Sequence, residues 1–385
     1  MTNNKDKKVL NVPNLRFPEF TGEWKKERLD EIAELSKGIG ISKEQLSSNG
    51  NPCILYGELY TKYKSEIISE VISKTNIEKN KLKHSKQNDV IIPCSGETAV
   101  DIAVARCVPF DNVLLGGDLN IIRLHKYDGA FMAYQLNSKR KIEIAKLAQG
   151  VSVVHLYGEN LKSINTYNPS LQEQQKIVRL LSLLDERIAT QNKIIEDLKK
   201  LKSAIYQELF SNQQGEEYSL SELVEIIKGQ QINGNELSEN GKYYVMNGGI
   251  MPSGYYDDYN TEAGTISISE GGNSCGYVQY NSSKFWSGGH CYTLHIKPAA
   301  PISTLFLFHF LKWKETDIMT LRIGSGLPNI QKKDLSKVSI IVPTLDKQQR
   351  IMTLLSTFQM KIEHEDMYAI NLNKQKQYLL SQMFI

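Results

Sequence analysis

The sequence predicts an α+β protein in which two similar globular domains are joined by two long helices, the helices forming an antiparallel coiled coil with pseudo-two-fold symmetry. Three observations carry this. The segment "PSLQEQQKIV" at Pro169 returns as "PTLDKQQRIM" at Pro343, each ahead of a long helical pattern. A shift of 174 residues, from Pro169 to Pro343, aligns residues 150–210 with 324–384 without a gap, matching Leu161 with Leu335, Gln174-Gln175 with Gln348-Gln349, and Phe210 with Phe384. A second offset, 191, pairs "ERLDEIAELSKG" from Glu27 with "YSLSELVEIIKG" from Tyr218, so the ends of the two copies agree while their middles differ in length and content.

The 385 residues, 41% hydrophobic and 23% charged, suit a folded protein of two or three domains. The start, "MTNNKDKK", is polar, and the most apolar run, Ile302 to Leu311, is about half a membrane span, so the chain reads as cytoplasmic. Five cysteines without C-x-x-C spacing argue against a disulfide framework or a zinc knuckle and for reduced, partly buried side chains. A net charge of +3 neither requires nor excludes a polyanionic partner.

In chain order the pattern predicts a lead over residues 1–20, a globular domain over 21–168, a helix over 169–212, a second globular domain over 213–342 and a second helix over 343–385. Both domains read as short alternating strands with Gly-rich turns, and "LGGDLNIIRL" from Leu115 echoes "SGGHCYTLHI" from Ser287. Pro169 and Pro343 mark the hand-over to each helix. Ser170 and Thr344 stand where they can cap it, and Ser170 with Glu173 has the spacing of a capping box.

The helical seam runs through Ile177, Leu181, Leu184, Ile188, Gln191, Ile195, Leu198, Lys202, Ile205 and Leu209. Its repeat runs through Ile351, Leu355, Phe358, Ile362, Glu365, Ala369, Leu372, Lys376, Leu379 and Met383. Steps of alternately four and three residues make a coiled-coil seam. Each helix would be about 60 Å long at 1.5 Å per residue. Both seams break at the same two places, and Gln191 and Glu365, equivalent positions near mid-helix, are predicted to fix the register.

Residues that could present donors, acceptors or stacking faces to base edges cluster on the turns. In the first domain they are Tyr56, Glu58, Tyr60, Lys62, Ser95, Glu97 and Thr98. In the second they are Asn247, Tyr255, Tyr256, Ser269, Glu270, Asn273, Ser274, Tyr277, His290 and Ser325. Lys139, Arg140 and Lys141, late in the first copy, and Lys312, Lys314 and Arg322, late in the second, are candidates for phosphate contacts. For any one of these, ordinary turn or helix-face chemistry is the competing reading. No phosphate-loop, H-E-x-x-H, G-x-S-x-G or Rossmann pattern occurs, and the seven histidines show no metal spacing, so neither a catalytic residue nor a metal ligand is assigned.

The lead "LRFPEFTGEW" from Leu15, the two divergent middles and the doubled "P-[ST]-L-x-x-Q-Q-[KR]-I" segments resemble the specificity subunit of type I restriction-modification systems, over essentially the whole chain. The resemblance implies two target-recognition domains, each reading one half of a bipartite double-stranded DNA sequence, with the helices setting the gap. It implies partners: two methyltransferase (modification) subunits that methylate adenine, and restriction subunits that translocate and cut. It implies no active site and no cofactor in this chain, the partner subunits using S-adenosylmethionine, ATP and Mg. The family's recognition domains vary in sequence, so the residues named above rest on turn chemistry rather than on a family motif. The alternatives are a specificity subunit of a related methylation-only system, a fused methyltransferase or nuclease, and a coiled-coil scaffold without sequence-dependent DNA affinity.

Overall fold

The computed structural model describes residues 10–324 and 326–385, and within it the chain forms two compact units. The first comprises the chain up to Asn192 together with Met367–Ile385, and the second is Lys193–Asp366. Each long helix therefore contributes one half to each unit.

The first unit is organised by a four-stranded antiparallel sheet in the order Ala33–Lys37, Leu119–Leu124, Asp89–Pro93, Arg106–Val108. Its inner strand "DVIIP" is buried along its whole length, because alternate side chains serve two cores. Val90 and Ile92 join a cluster with Met132 and Leu136 of the helix Gly129–Asn137, while Ile91 joins Ile54, Leu59 and Leu115 on the other face. A smaller five-stranded sheet covers that face, with Leu114–Leu115 parallel to Asn51–Ile54 and antiparallel to Lys83–His84.

The second unit repeats the plan. Its sheet order is Val224–Lys228, Cys291–Ile296, Thr265–Ser269, Val278–Asn281, again antiparallel throughout. The helix Thr304–Trp313 covers it as Gly129–Asn137 covers the first. The second sheet has shrunk to three strands, with Trp286–Ser287 parallel to Tyr243–Met246 and Gly254–Tyr256 antiparallel to it. The divergence of the middles is thus concentrated in this outer sheet. All five cysteines are free and buried.

The proline-led helix starts have a common structural reason. Gln174 and Gln348 each bridge three parts of their own unit. Gln174 Nε2 donates to the Pro169 carbonyl (2.9 Å) while its Oε1 accepts from the Asp128 amide (3.0 Å). Gln348 Nε2 donates to the Pro343 carbonyl (2.9 Å) and its Oε1 accepts from the Ser303 amide (2.9 Å). Asp128 and Ser303 are themselves the N-caps of the two sheet-covering helices. One buried glutamine in each copy therefore ties the long helix to the covering helix.

The capping box expected at Ser170 does not close. Ser170 Oγ lies 3.4 Å from the Glu173 amide, and the Glu173 carboxylate instead takes both forks of Arg16 (2.7 Å each) and the Trp24 indole (3.1 Å). The lead segment thus fastens onto the first long helix through a bidentate pair.

The helices Leu171–Ser211 and Leu345–Met383 place every seam position in buried or half-buried surroundings. In the first unit they run antiparallel, since Asp185 meets Lys376 whereas Arg187, further along, meets Tyr368. In the second, Lys199 meets Asp366 and Lys202 meets Gln359, the same sense. Each helix ends in an aromatic plug. Phe384 packs on Phe131 (5.4 Å between ring centres) and Trp24 (6.4 Å), and Phe210 packs on Phe306 (5.8 Å) and Phe310 (5.7 Å).

Candidate nucleic-acid interface

In both units a cleft opens where the first two strands of the main sheet end. In the second unit it measures about 590 Å³ and is lined by Lys228, Asn247, Glu270 and His290, with a rim formed by Leu327–Asn329. Each side chain arrives from a separate element: Lys228 ends the edge strand, Glu270 follows Thr265–Ser269, and His290 precedes Cys291–Ile296. Asn247 follows Tyr243–Met246, and its Oδ1 accepts from the His290 amide (3.0 Å). Gly248 turns the chain beside it at φ 80°, and a Cβ there would stand 3.1 Å from that of His290, so only glycine fits without strain.

Glu270 is nine-tenths buried. Its Oε1 accepts from Lys228 Nζ (2.6 Å) and the Tyr292 hydroxyl (3.1 Å), and His290 Nδ1 stands 3.5 Å from its Oε2. Burial and this carboxylate push the Tyr292 phenol up to about 12, so it remains a donor.

The first unit has a smaller cleft of about 290 Å³ beside the equivalent lysine, lined by Lys37, Asn120, Tyr157 and Glu159. The backbone frame is shared. Cys94 N donates to the Asp118 carbonyl (2.6 Å) and Leu156 N to the Cys94 carbonyl (2.7 Å), as Glu270 N does to His290 (2.9 Å) and Ile330 N to Glu270 (2.8 Å). The side chains differ. Cys94 stands where the second unit has Glu270, Asp118 where it has His290, and Asn120 where it has Tyr292. Burial pushes the Cys94 thiol up to about 11, so this position is neutral in one unit and a carboxylate in the other.

The structure gathers some of the residues expected from sequence and separates others. Asn247, Glu270 and His290 line one cleft, and Ser269 beside them is buried, its hydroxyl donating to the Gly248 carbonyl (2.7 Å). Asn273 and Ser274 lie on the following turn, Asn273 exposed and Ser274 half-buried. Tyr277 lies under Lys312 Nζ, 4.0 Å from its ring centre. Tyr255 and Tyr256 are on the outer sheet, Tyr256 against Trp286 (5.1 Å). Arg322 is exposed, and Ser325 lies outside the described residues.

In the first unit Tyr56, Tyr60 and Glu97 are neighbours, the Tyr60 phenol being raised by burial first and then by Tyr56, Glu97 and Asp101. Glu58 is buried and spent on Lys62 (2.7 Å), Ser73 and the Leu55 amide (3.0 Å), so it holds its turn together instead of facing outward. Ser95 is likewise buried on Asp118 (3.0 Å), and exposed Thr98 caps the short helix Ala99–Ile102. Lys139 is exposed and Lys141 half-buried. Arg140 is not a free phosphate hand: only 12% exposed, it binds Glu143 (2.7 Å) and the Ile385 carbonyl (2.8 Å). Lys312 and Lys314 are paired with Glu315 (2.6 Å) and Asp317 (3.0 Å).

Three features were missed from sequence. Lys37 and Lys228 belong to the repeated "SKG" and "IKG" segments, so the repeat itself carried a signal for them. Asn120 and Tyr292, on the echoed Gly-Gly strands, carried the same kind of signal. The third is a basic groove of about 870 Å³ in the second unit, lined by Lys199, Lys200, Lys202 and Lys312 with Tyr206 and Trp313. Among the described residues no group of three or more His, Cys, Asp or Glu could hold a metal ion, and no helix is long and apolar enough to cross a membrane.

The chain is thus one sheet-and-helix plan built twice, each copy leading into a long helix and carrying different side chains on a shared frame. The family described as Type I restriction modification DNA specificity domain matches the chain twice, over residues 21–200 and 212–372, and the chain belongs to this family. A Mycoplasma pneumoniae protein assigned by name to the type I specificity subunits is 34% identical over 162 residues, 42% of this chain and 43% of that one. The type I restriction enzyme MjaVIII specificity subunit of Methanocaldococcus jannaschii is 24% identical over 62% of this chain and 57% of its own. The matched stretches thus span about half the length of these relatives. The fold is shared with the crystal structure of a type I restriction-modification system S subunit from M. genitalium, at 22% identity and a TM-score of 0.64 over 97% of this chain and 99% of that one. A chain from a structural study of complex assembly and conformational transition in the type I system gives 0.61 at 17% identity, over 94% and 97% of the two chains.

Proposed function

We propose that this chain is the DNA-reading subunit of a type I restriction-modification complex, each unit recognising one half of a bipartite double-stranded target. The observation that supports this most is one backbone frame used twice with different side chains: Cys94, Asp118 and Asn120 stand in one unit where Glu270, His290 and Tyr292 stand in the other, beside clefts with different linings. A shared frame with different donors and acceptors suits two modules that read different base edges. The long helices, on this reading, set the gap between half-sites and dock two modification subunits and the restriction subunits, with Gln191 and Glu365 holding the helix register. The chain performs no chemistry itself and binds no cofactor, S-adenosylmethionine, ATP and Mg being used by its partners in the cytoplasm.

Among the residues expected to meet DNA, the cleft-lining Asn247, Glu270 and His290 and the turn residues Asn273 and Ser274 are proposed for base contacts, and exposed Lys139 and Arg322 for phosphates. The test is enrichment of duplexes from a randomised pool by the purified chain with its modification subunits, run beside methyl transfer by the chain alone. Enrichment of a split sequence with no methyl transfer supports the proposal. Methyl transfer by the chain alone, or binding without sequence preference, refutes it.

A further inference from the structure

The carboxylate of Glu270 is used on one side only. Oε1 holds Lys228 and Tyr292, whereas Oε2 is buried and accepts no hydrogen bond among the described residues, His290 Nδ1 being near it but out of line. A buried carboxylate oxygen without a donor is costly, and a ligand that brings an N–H to it recovers that cost.

The surroundings admit such a ligand. The side chain whose Nδ1 stands 3.5 Å from Oε2, His290, is 63% exposed. The cleft floor beside it is Gly271 and Gly272. A Cβ at Gly271 would find nothing nearer than His290 Nδ1 at 3.6 Å, and one at Gly272 nothing within 4 Å. A planar edge can therefore approach the backbone closely once the imidazole swings aside.

The chemistry selects the edge. Of the four bases, thymine turns an O4 acceptor towards the major groove and guanine turns O6 and N7, all of which a carboxylate repels. Adenine offers its N6 amino group beside an N7 acceptor. Cytosine offers the N4 amino group with no acceptor next to it, and its paired guanine presents O6 and N7. Lys228 and His290, the donors flanking Glu270, suit those two acceptors.

We propose that Glu270 Oε2 reads the exocyclic amino group of one cytosine in the half-site recognised by the second unit, with Lys228 and His290 facing the paired guanine. This rests on the DNA-reading function proposed above. It also distinguishes the units, because the first carries the neutral thiol of Cys94 at this place and lacks the carboxylate that would impose the same choice.

The experiment begins with the duplex enriched by the wild-type chain and its modification subunits, in which each cytosine of either half-site is replaced in turn by 2-pyrimidinone, the base lacking the 4-amino group. One position in a single half-site is expected to lose about 5- to 150-fold in affinity, corresponding to about 1–3 kcal/mol for a good base contact. In Glu270→Ala the same replacement should cost less than about twofold, while replacements in the other half-site keep their wild-type effect. The wild-type arm does not depend on the variant folding, and the unchanged other half-site reports that the variant is intact. An enriched bipartite duplex in which no amino deletion is selective for Glu270 overturns this assignment alone. A chain that enriches no duplex overturns the DNA-reading function and this assignment with it.

Discussion

Lys376 and Lys202 occupy the same seam position in the two helices, yet they should differ several-fold in what they contribute to stability. Lys376 Nζ lies 2.5 Å from Glu66 and 2.6 Å from Asp185, and the three side chains are 10%, 8% and 9% exposed. Asp185 is further held by the Tyr134 hydroxyl (2.7 Å) and by Ser65 (2.9 Å). Replacing the lysine by methionine fills a similar volume but leaves the two carboxylates buried without its charge, Arg106 being a further buried cation that interacts with both. Breaking a buried pair in this way costs about 3–5 kcal/mol.

In the second unit the residue equivalent to Asp185 is Gln359, and Lys202 Nζ donates to its Oε1 at 2.6 Å. Losing that bond strands no buried charge, so Lys202→Met should cost about 1 kcal/mol. Hydrogen exchange read separately on residues 171–192 with 367–383 and on 193–211 with 345–366 measures the two effects in one chain. Since about 1.4 kcal/mol is tenfold, Lys376→Met should lower protection of the first set by roughly 10²-fold to a few thousand-fold and spare the second. Equal losses for the two variants, or a Lys376→Met loss under tenfold, would show that Glu66 and Asp185 do not depend on Lys376 for their charge balance.

Burial, aided by Lys202, pushes His309 down to about 4, so it is neutral when folded but takes a proton near 6.5 when unfolded. The unfolded state then binds more protons between these values, and stability of the second unit should fall as pH drops from about 6.5 towards 4, by up to about 3 kcal/mol; urea midpoints at pH 7.5 and 5 should show this, and His309→Gln should flatten it. Gln174→Ala and Gln348→Ala each strand a proline carbonyl and a capping-residue amide, at a cost of about 1–3 kcal/mol confined to the unit carrying the change, measurable by the same exchange experiment. Four residues inserted after Leu198, about one helical turn, should lengthen the preferred DNA spacer and preserve both half-sites in a selection with variable spacers. An unchanged spacer would show that the helices do not set it.

The repeat made the architecture legible because it is a local and additive signal: periodicity gave the long helices, and two unequal offsets separated alike ends from divergent middles. The glutamine pairs were visible as matches, but their role was not, since Gln174 and Gln348 act on Asp128 and Ser303, more than forty residues away. Glu173 fitted a capping box by spacing and was taken instead by Arg16 and Trp24 from the lead segment. The seam break at Lys376 is explained by Glu66, which arrives from a loop 310 residues away in sequence.

The candidate site was legible only in part for a similar reason. Ser95, Glu58 and Ser269 look like exposed turn residues in a sequence rich in turns, but each sits where its side chain finds an internal partner and is buried. Lys228, Glu270 and His290 converge from three strand ends, and no spacing along the chain encodes that convergence.

On the function proposed above, the two units read DNA independently, one half-site each. Exchanging residues 39–148 for the equivalent segment of a relative with a different target, and then selecting duplexes from a randomised pool with the chain and its modification subunits, tests it most directly. One half of the enriched sequence is expected to change while the other half and the spacer stay as they were. Simultaneous change of both halves would contradict it.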